Sequence, residues 1–299
     1  MKQTSKKMNL IVGWILFILS IGVFFLQIGF LFFHERLQFE YIDNRLFYVF
    51  NMIFVICLFI AILLLLNLEK KWKVFGAVVV LIFMIPNITM IFQTNKEIKN
   101  IISVSPNFQH VLSLKENTKT GETYYYRSYF GILGRPKEKL PFQTNDRFKV
   151  DWLTDDIAAV TYKAKDKTVH QYIGTYGDRG TGISYYYVAA QIYGVWEGEN
   201  ARITNETEGL SVTVNGKTEI YKWDQVVQFG TLAIVLMKNN EAVWTIALNK
   251  DFNVEAAEKG ETPGTILLYK ATMGKTEPIL LKRVRVPCNH SSFSRIIFI

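Results

Sequence analysis

The stretch Leu10–Phe33, LIVGWILFILSIGVFFLQIGFLFF, runs for 24 residues without an Asp, Glu, Lys, Arg or His. Two more stretches free of those residue types follow, Leu46–Leu68 and Val74–Phe92. At a rise of about 1.5 Å per residue, each reaches across a hydrocarbon layer of roughly 30 Å. A soluble domain has no use for three such helices, so residues 1–93 read as a three-helix transmembrane region.

The flanks of these runs set the expected orientation. Met1–Asn9 carries Lys2, Lys6 and Lys7, and the first run is too long for a signal-peptide core and ends without a small-residue cleavage site. It reads as a retained anchor. The link Glu69–Lys73 adds three more lysines, making six on that side. The opposite side holds four basic residues, Arg36, Arg45, Lys96 and Lys99, and its first loop is offset by Glu35, Glu40 and Asp43. Positive charge stays inside. The expectation is a multi-pass protein of the cell membrane, with its N-terminus cytoplasmic and the portion after the third run extracytoplasmic.

Polar groups inside the runs are few: Ser20, Gln27, Asn51, Asn87 and Thr89, none ionisable. Transporters and proton relays place ionisable side chains at membrane depth, so the spans weigh against that class. Pro86 should kink the third helix, with Asn87 donating to a neighbour or to the freed carbonyl.

Residues 94–105 read as a connector that Pro106 stops. From 106 to 286 the apolar period changes to that of strands. Segments such as Ile157–Tyr162, Thr168–Ile173, Leu210–Val214, Leu232–Met237 and Ala242–Leu248 are short, β-branched or aromatic, and bounded by turn residues. Asn215-Gly216 is the clearest hairpin turn, and Asn239-Asn240 and Lys165-Asp166-Lys167 resemble it. Only Val254–Lys259 has a helical look. The fold class is therefore an α+β membrane protein, its three helices followed by a mainly antiparallel β domain, a sandwich or an irregular barrel. Residues 287–299 form a tail with no place in the strand pattern.

The net charge of +8 is spread evenly: 8 basic and 4 acidic residues precede position 94, and 26 and 22 follow. No basic stripe exists, so nucleic acid is not an expected partner. Cys57 and Cys288 offer no disulfide framework, which together with abundant Lys, Asn and Ile favours a bacterial source.

The most unusual composition is Gly174–Gly182, GTYGDRGTG, leading into Tyr185-Tyr186-Tyr187. It lacks the lysine of a phosphate loop and the strand–turn–helix context of a dinucleotide site. As a ligand-binding loop it offers Asp178 and Arg179 at its tip, with Tyr176 and Tyr186 as stacking surfaces. The acidic groups Asp151, Asp155, Asp156, Glu197 and Glu199 match no calcium loop, and the four histidines are too dispersed for a metal site. No nucleophile sits beside a base. No catalytic residue, metal or cofactor is assigned. The function expected is an extracytoplasmic β-rich binding, sensing or accessory module. It would act through other membrane or envelope proteins, with no catalytic role assigned. The alternative is a membrane-anchored enzyme acting on cell-envelope material.

Overall fold

The computed structural model describes residues 2–177, 186–259 and 261–284. The chain divides into two compact units, residues 1–146 and 147–299.

The first unit opens with α1 (Lys2–Leu37), then β1 (Glu40–Tyr41), α2 (Arg45–Leu65) and α3 (Lys70–Glu97). All three helices are long and apolar enough to cross a membrane. They are apolar on every side: Phe25, Leu31, Ile82 and Ile85 all point outward. Helices apolar all round suit a buried or membrane setting. Gly13 lets α1 approach α2 closely, since a Cβ there would lie 2.8 Å from Leu65.

The polar residues of the spans turn inward. Ser20, Gln27 and Asn87 are buried. Tyr41 donates its hydroxyl to Gln27 Oε1 at 2.9 Å, and Gln27 Nε2 donates to Asn51 Oδ1 at 2.8 Å and to the Phe47 carbonyl at 2.7 Å. Asn51 in turn reaches Asn87 Oδ1 at 3.4 Å. One string of amides thus links α1, α2 and α3, so these polar groups find partners within the helices, as they would have to in hydrocarbon. Asn87 Nδ2 donates to the Phe83 carbonyl at 2.9 Å. That is one residue beyond the Ile82 carbonyl that Pro86 frees.

No connector separates the helices from the strands. α3 ends at Glu97 and β2 (Ile98–Val104) begins at the next residue. Its Ile98, Ile101, Ile102 and Val104 suit a strand better than a helix end. β3 (Val111–Asn117), β4 (Thr123–Tyr129) and β5 (Leu133–Lys139) complete a five-stranded sheet in the order β1-β5-β4-β3-β2. The α1–α2 loop therefore supplies an edge strand, pairing Glu40 with Gly134 and Tyr41 with Leu133. The stretch 106–286, expected as one domain, lies on both sides of the division between the units.

Lys115 on β3 anchors this sheet to the α1–α2 loop. Its side chain is only 5% exposed, yet its ammonium reaches Glu40 at 2.6 Å and Asn44 Oδ1 at 2.6 Å, and sits 4.4 Å from the Tyr126 ring centroid. Burial lowers the Lys115 pKa, and Glu40 and Asp43 oppose that shift without cancelling it. Asp43 is gripped by Arg45 through two nitrogens. Burial works against its charge, but the hydrogen bonds and charge of Arg45 prevail and hold the carboxyl below its ordinary value.

The second unit takes in most of β6 (Thr144–Thr154), which with β7 (Ile157–Ala164) and β8 (Val169–Thr175) makes a three-stranded sheet. After α4 (Val188–Gln191) come β9 (Gly194–Glu197), β10 (Ala201–Glu206), β11 (Gly209–Val214), β12 (Lys217–Tyr221), β13 (Val226–Phe229), β14 (Ala233–Lys238) and β15 (Glu241–Leu248). α5 (Val254–Glu258), β16 (Thr265–Lys270) and β17 (Ile279–Arg283) follow. The nine-stranded sheet runs β12-β11-β10-β9-β17-β16-β15-β14-β13, so the last strand inserts beside β9. The protein's sheets curl into a half-barrel and a nearly closed barrel, the barrel branch of the expectation. The turns hold as read: Asn215, Gly216, Asn239 and Asn240 all have positive φ, as tight hairpins require.

The central strands β14, β15 and β16 are buried on both faces. Ile234, Leu236, Trp244, Ile246, Ile266 and Leu268 enter one apolar cluster, while Ala233, Val235, Ala247, Leu267 and Tyr269 enter another with Ile157, Ala159 and Ile173. Period-two alternation directs neighbours into different cores, so these strands read as continuous apolar runs. The alanines let β7 and β8 pack close. Near the end of β8, Gly230 has φ +54° and a Cβ there would sit 2.1 Å from Thr175 Oγ1.

His170 is buried on β8, with Thr168 at 2.7 Å from Nε2. Burial lowers its pKa, against the pull of Asp166 and Glu241. A lowered folded pKa means that the unfolded chain binds the proton more readily, so stability is lost as pH falls below about 6.5, the ordinary histidine value. Melting of the detergent-solubilised chain between pH 7.5 and 5.5 should show this loss, and His170→Gln should flatten it. An identical pH slope in the variant would assign the loss to other groups.

Candidate functional site

The second unit carries a cleft of about 820 Å³ on the β11–β12 side of the nine-stranded sheet. That is the size of small-ligand sites. Its floor is Trp244, which faces Lys270 across the β15–β16 ladder. The Lys270 ammonium lies 5.8 Å from the indole centroid. One wall is the β11–β12 hairpin, where the tight Asn215-Gly216 turn sets Val212 opposite Glu219 and Val214 opposite Lys217. Lys238 from β14 and Glu277 complete the polar lining.

Glu219 is the organising group. Its Oε2 accepts from Trp244 Nε1 at 3.0 Å and from the Tyr221 hydroxyl at 2.9 Å, and Lys238 lies 3.4 Å from Oε1. The indole hydrogen bond, aided by those from Tyr221 and Lys238 and opposed by burial, holds the carboxyl below its ordinary pKa. Burial and the bond to Glu219 push the Tyr221 phenol up. A carboxylate held ionised by three donors is a fixed acceptor and a poor general acid. Lys217 and Lys270 make no ion pair among the described residues. The cleft therefore presents an indole, the committed Glu219 carboxylate, a second carboxylate at Glu277, and the ammonium groups of Lys217 and Lys270: a surface suited to holding an anion against the two lysines, beside an apolar or sugar face.

Of the residues singled out in the glycine-rich loop, Asp178 and Arg179 lie outside the described residues. Tyr176 is half-buried and stacks on Trp152, with ring centroids 5.7 Å apart. Tyr186 is buried in a core cluster with Val188, Ile192 and Trp196, and its carbonyl accepts from Gln228 Nε2 at 2.8 Å. Gly177 has φ +82°, the left-handed region that glycine favours. Of the acidic groups, Asp151 is engaged by Lys149 at 3.0 Å and by Tyr269, Asp155 by Lys250, and Glu197 by Arg202 at 3.0 Å. Among the described residues no cluster of potential metal ligands forms.

Sequence reasoning passed over Glu219. Its signal was present, because Glu219 and Tyr221 are two apart on one strand and so share a face, placing a carboxylate beside a core tyrosine. Comparison with protein-family models, with curated proteins and with solved structures returned no match.

Proposed function

We propose that this chain is a multi-pass membrane protein whose β-rich part is a binding module for an anionic ligand, displayed on the extracytoplasmic side. The cleft around Trp244 carries this reading, with Lys217 and Lys270 as the ligand's counter-charges and Glu219 as the group that fixes the indole. The second unit is the receptor, the helices are the anchor, and a signal or assembly role runs through partner membrane proteins. A carboxylated glycan tests the reading, with oligogalacturonate as probe and neutral maltooligosaccharide as control. Binding to the detergent-solubilised chain should saturate for the first alone and weaken about tenfold in Lys270→Ala, the loss of one charge-assisted contact. No binding, or equal binding by the variant, would remove the cleft as the site.

The orientation has its own test. In a chain with Cys57 and Cys288 replaced by serine, cysteine at Lys71 should resist an impermeant thiol reagent in intact cells, and cysteine at Lys165 should react. The reverse labelling would invert the topology.

A further inference from the structure

The first unit holds a second cavity, of about 310 Å³, between the last turns of α1 and the β1–β5 edge of the sheet. Leu26, Phe30 and Phe33 line it from the helix, and Phe39 and Leu133 from the sheet side. Its walls are almost wholly apolar, and Leu26 and Phe33 remain 40% and 50% exposed, so the groove opens outward. It lies at the C-terminal end of a helix long and apolar enough to span a membrane, just where that apolar run gives way to His34 and Arg36.

The same face of the sheet ends in an unusual pair. Arg127 and Arg135 are direct cross-strand partners, one pleat beyond the Tyr129–Leu133 pair. Alternation puts all four side chains on one face. The Arg135 guanidinium lies 4.3 Å from the Phe39 ring centroid, Arg127 lies 6.0 Å from that of Tyr129, and the two rings meet edge to face at 5.4 Å. Among the described residues neither arginine forms an ion pair, and Arg135 Nε is buried without a hydrogen-bond partner. Like charges set opposite one another repel, and an unsatisfied buried donor is destabilising. A bound anion offsets the repulsion between the two charges, and guanidinium groups match phosphate geometry.

We infer that this groove is a site for one anionic phospholipid, with an acyl chain against Phe30 and Phe33 and the phosphate on Arg135 and Arg127. The inference rests on the membrane reading above, because a lipid must be present at the end of α1 for the groove to fill. Neutral lipids share the tail but leave the arginines unpaired, and free phosphate lacks the tail.

Gly29 supplies the means of testing it. It lines the groove, and a Cβ built there meets nothing within 4 Å. Gly29→Leu therefore fills the acyl space without forcing the helices apart. The full chain would be delipidated in detergent and offered dioleoyl phosphatidylglycerol, dioleoyl phosphatidylcholine or glycerol 3-phosphate. Retained lipid is counted by native mass spectrometry, and melting is followed in parallel. Phosphatidylglycerol should be retained and raise the melting temperature, with the other two doing neither. Arg135→Gln and Gly29→Leu should each weaken retention about tenfold, and Arg127→Gln provides a second charge variant should Arg135→Gln fail to fold. Equal retention of phosphatidylcholine, undiminished retention by well-folded variants, or an equal response to glycerol 3-phosphate would each overturn the site. Release of the chain from membranes by alkaline carbonate would instead overturn the membrane reading, so the two failures are distinguishable.

Discussion

Glu40→Ala should destabilise the first unit by about 3–5 kcal/mol, whereas Lys115→Met should change its stability by less than about 1 kcal/mol. The asymmetry follows from where the two charges sit. The Lys115 side chain is 5% exposed and Glu40 is 33% exposed. Removing Glu40 leaves a buried ammonium with Asn44, the Tyr126 ring and the more distant Asp43, none an adequate substitute for a contact carboxylate. Removing the ammonium leaves a carboxylate that already touches solvent, and methionine fills the vacated channel. Thermal melting of the solubilised chain measures both. A pH signature separates a lost ion pair from a lost packing contact. Burial already lowers the Lys115 pKa, and without Glu40 it falls further. The unfolded chain then binds more protons, so the Glu40→Ala chain should regain stability as pH rises from 7 toward 10. Equal losses in the two variants, or no alkaline recovery in Glu40→Ala, would show that the pair is not the joint between loop and sheet.

Trp196→Ala should have a comparable effect on the second unit, about 3–5 kcal/mol, which in a unit of this size shifts melting by roughly 10 °C or more. Trp196 is fully buried on β9, donates Nε1 to the Ile192 carbonyl at 2.8 Å and stacks on Phe252 with centroids 6.1 Å apart. It also pairs with Arg283, so it sits where the last strand closes onto the middle of the sheet. Trp196→Phe keeps most of the apolar volume and loses the hydrogen bond, and should cost well under half as much. Near-ultraviolet circular dichroism follows the transition. A loss below about 1 kcal/mol in Trp196→Ala would mean that the site collapses around the missing ring and that β17 is held by its ladder alone.

These two residues mark how differently parts of the chain were legible. The three helices were open to reading because each is written in local composition: an uncharged run of membrane-spanning length needs no partner to be recognised. The hairpin turns at Asn215-Gly216 and Asn239-Asn240 were equally local, since φ > 0 at both positions restricts which residues fit.

The joint between loop and sheet was not legible. Glu40 and Lys115 are 75 residues apart, and in the sequence Glu40 is one acid among three in a short loop. Nothing local announces a two-residue strand that pairs with β5. The strand within 94–105 was hidden for the same reason: whether Ile98–Val104 prolongs a helix or forms a strand depends on β3 lying alongside it. Glu219 and Arg135 followed suit. Strand alternation assigns each to a face, but only the sheet's curl brings Trp244 and Lys238 to the carboxylate, and only the β4–β5 register sets Arg127 opposite Arg135. By itself the sequence determined the three long apolar helices, the strand-rich character and the tight turns, all products of short-range sterics and solvent preference. Tertiary structure alone decided which strands pair, where the compact units divide and which charges meet, because those depend on contacts between residues distant in the chain.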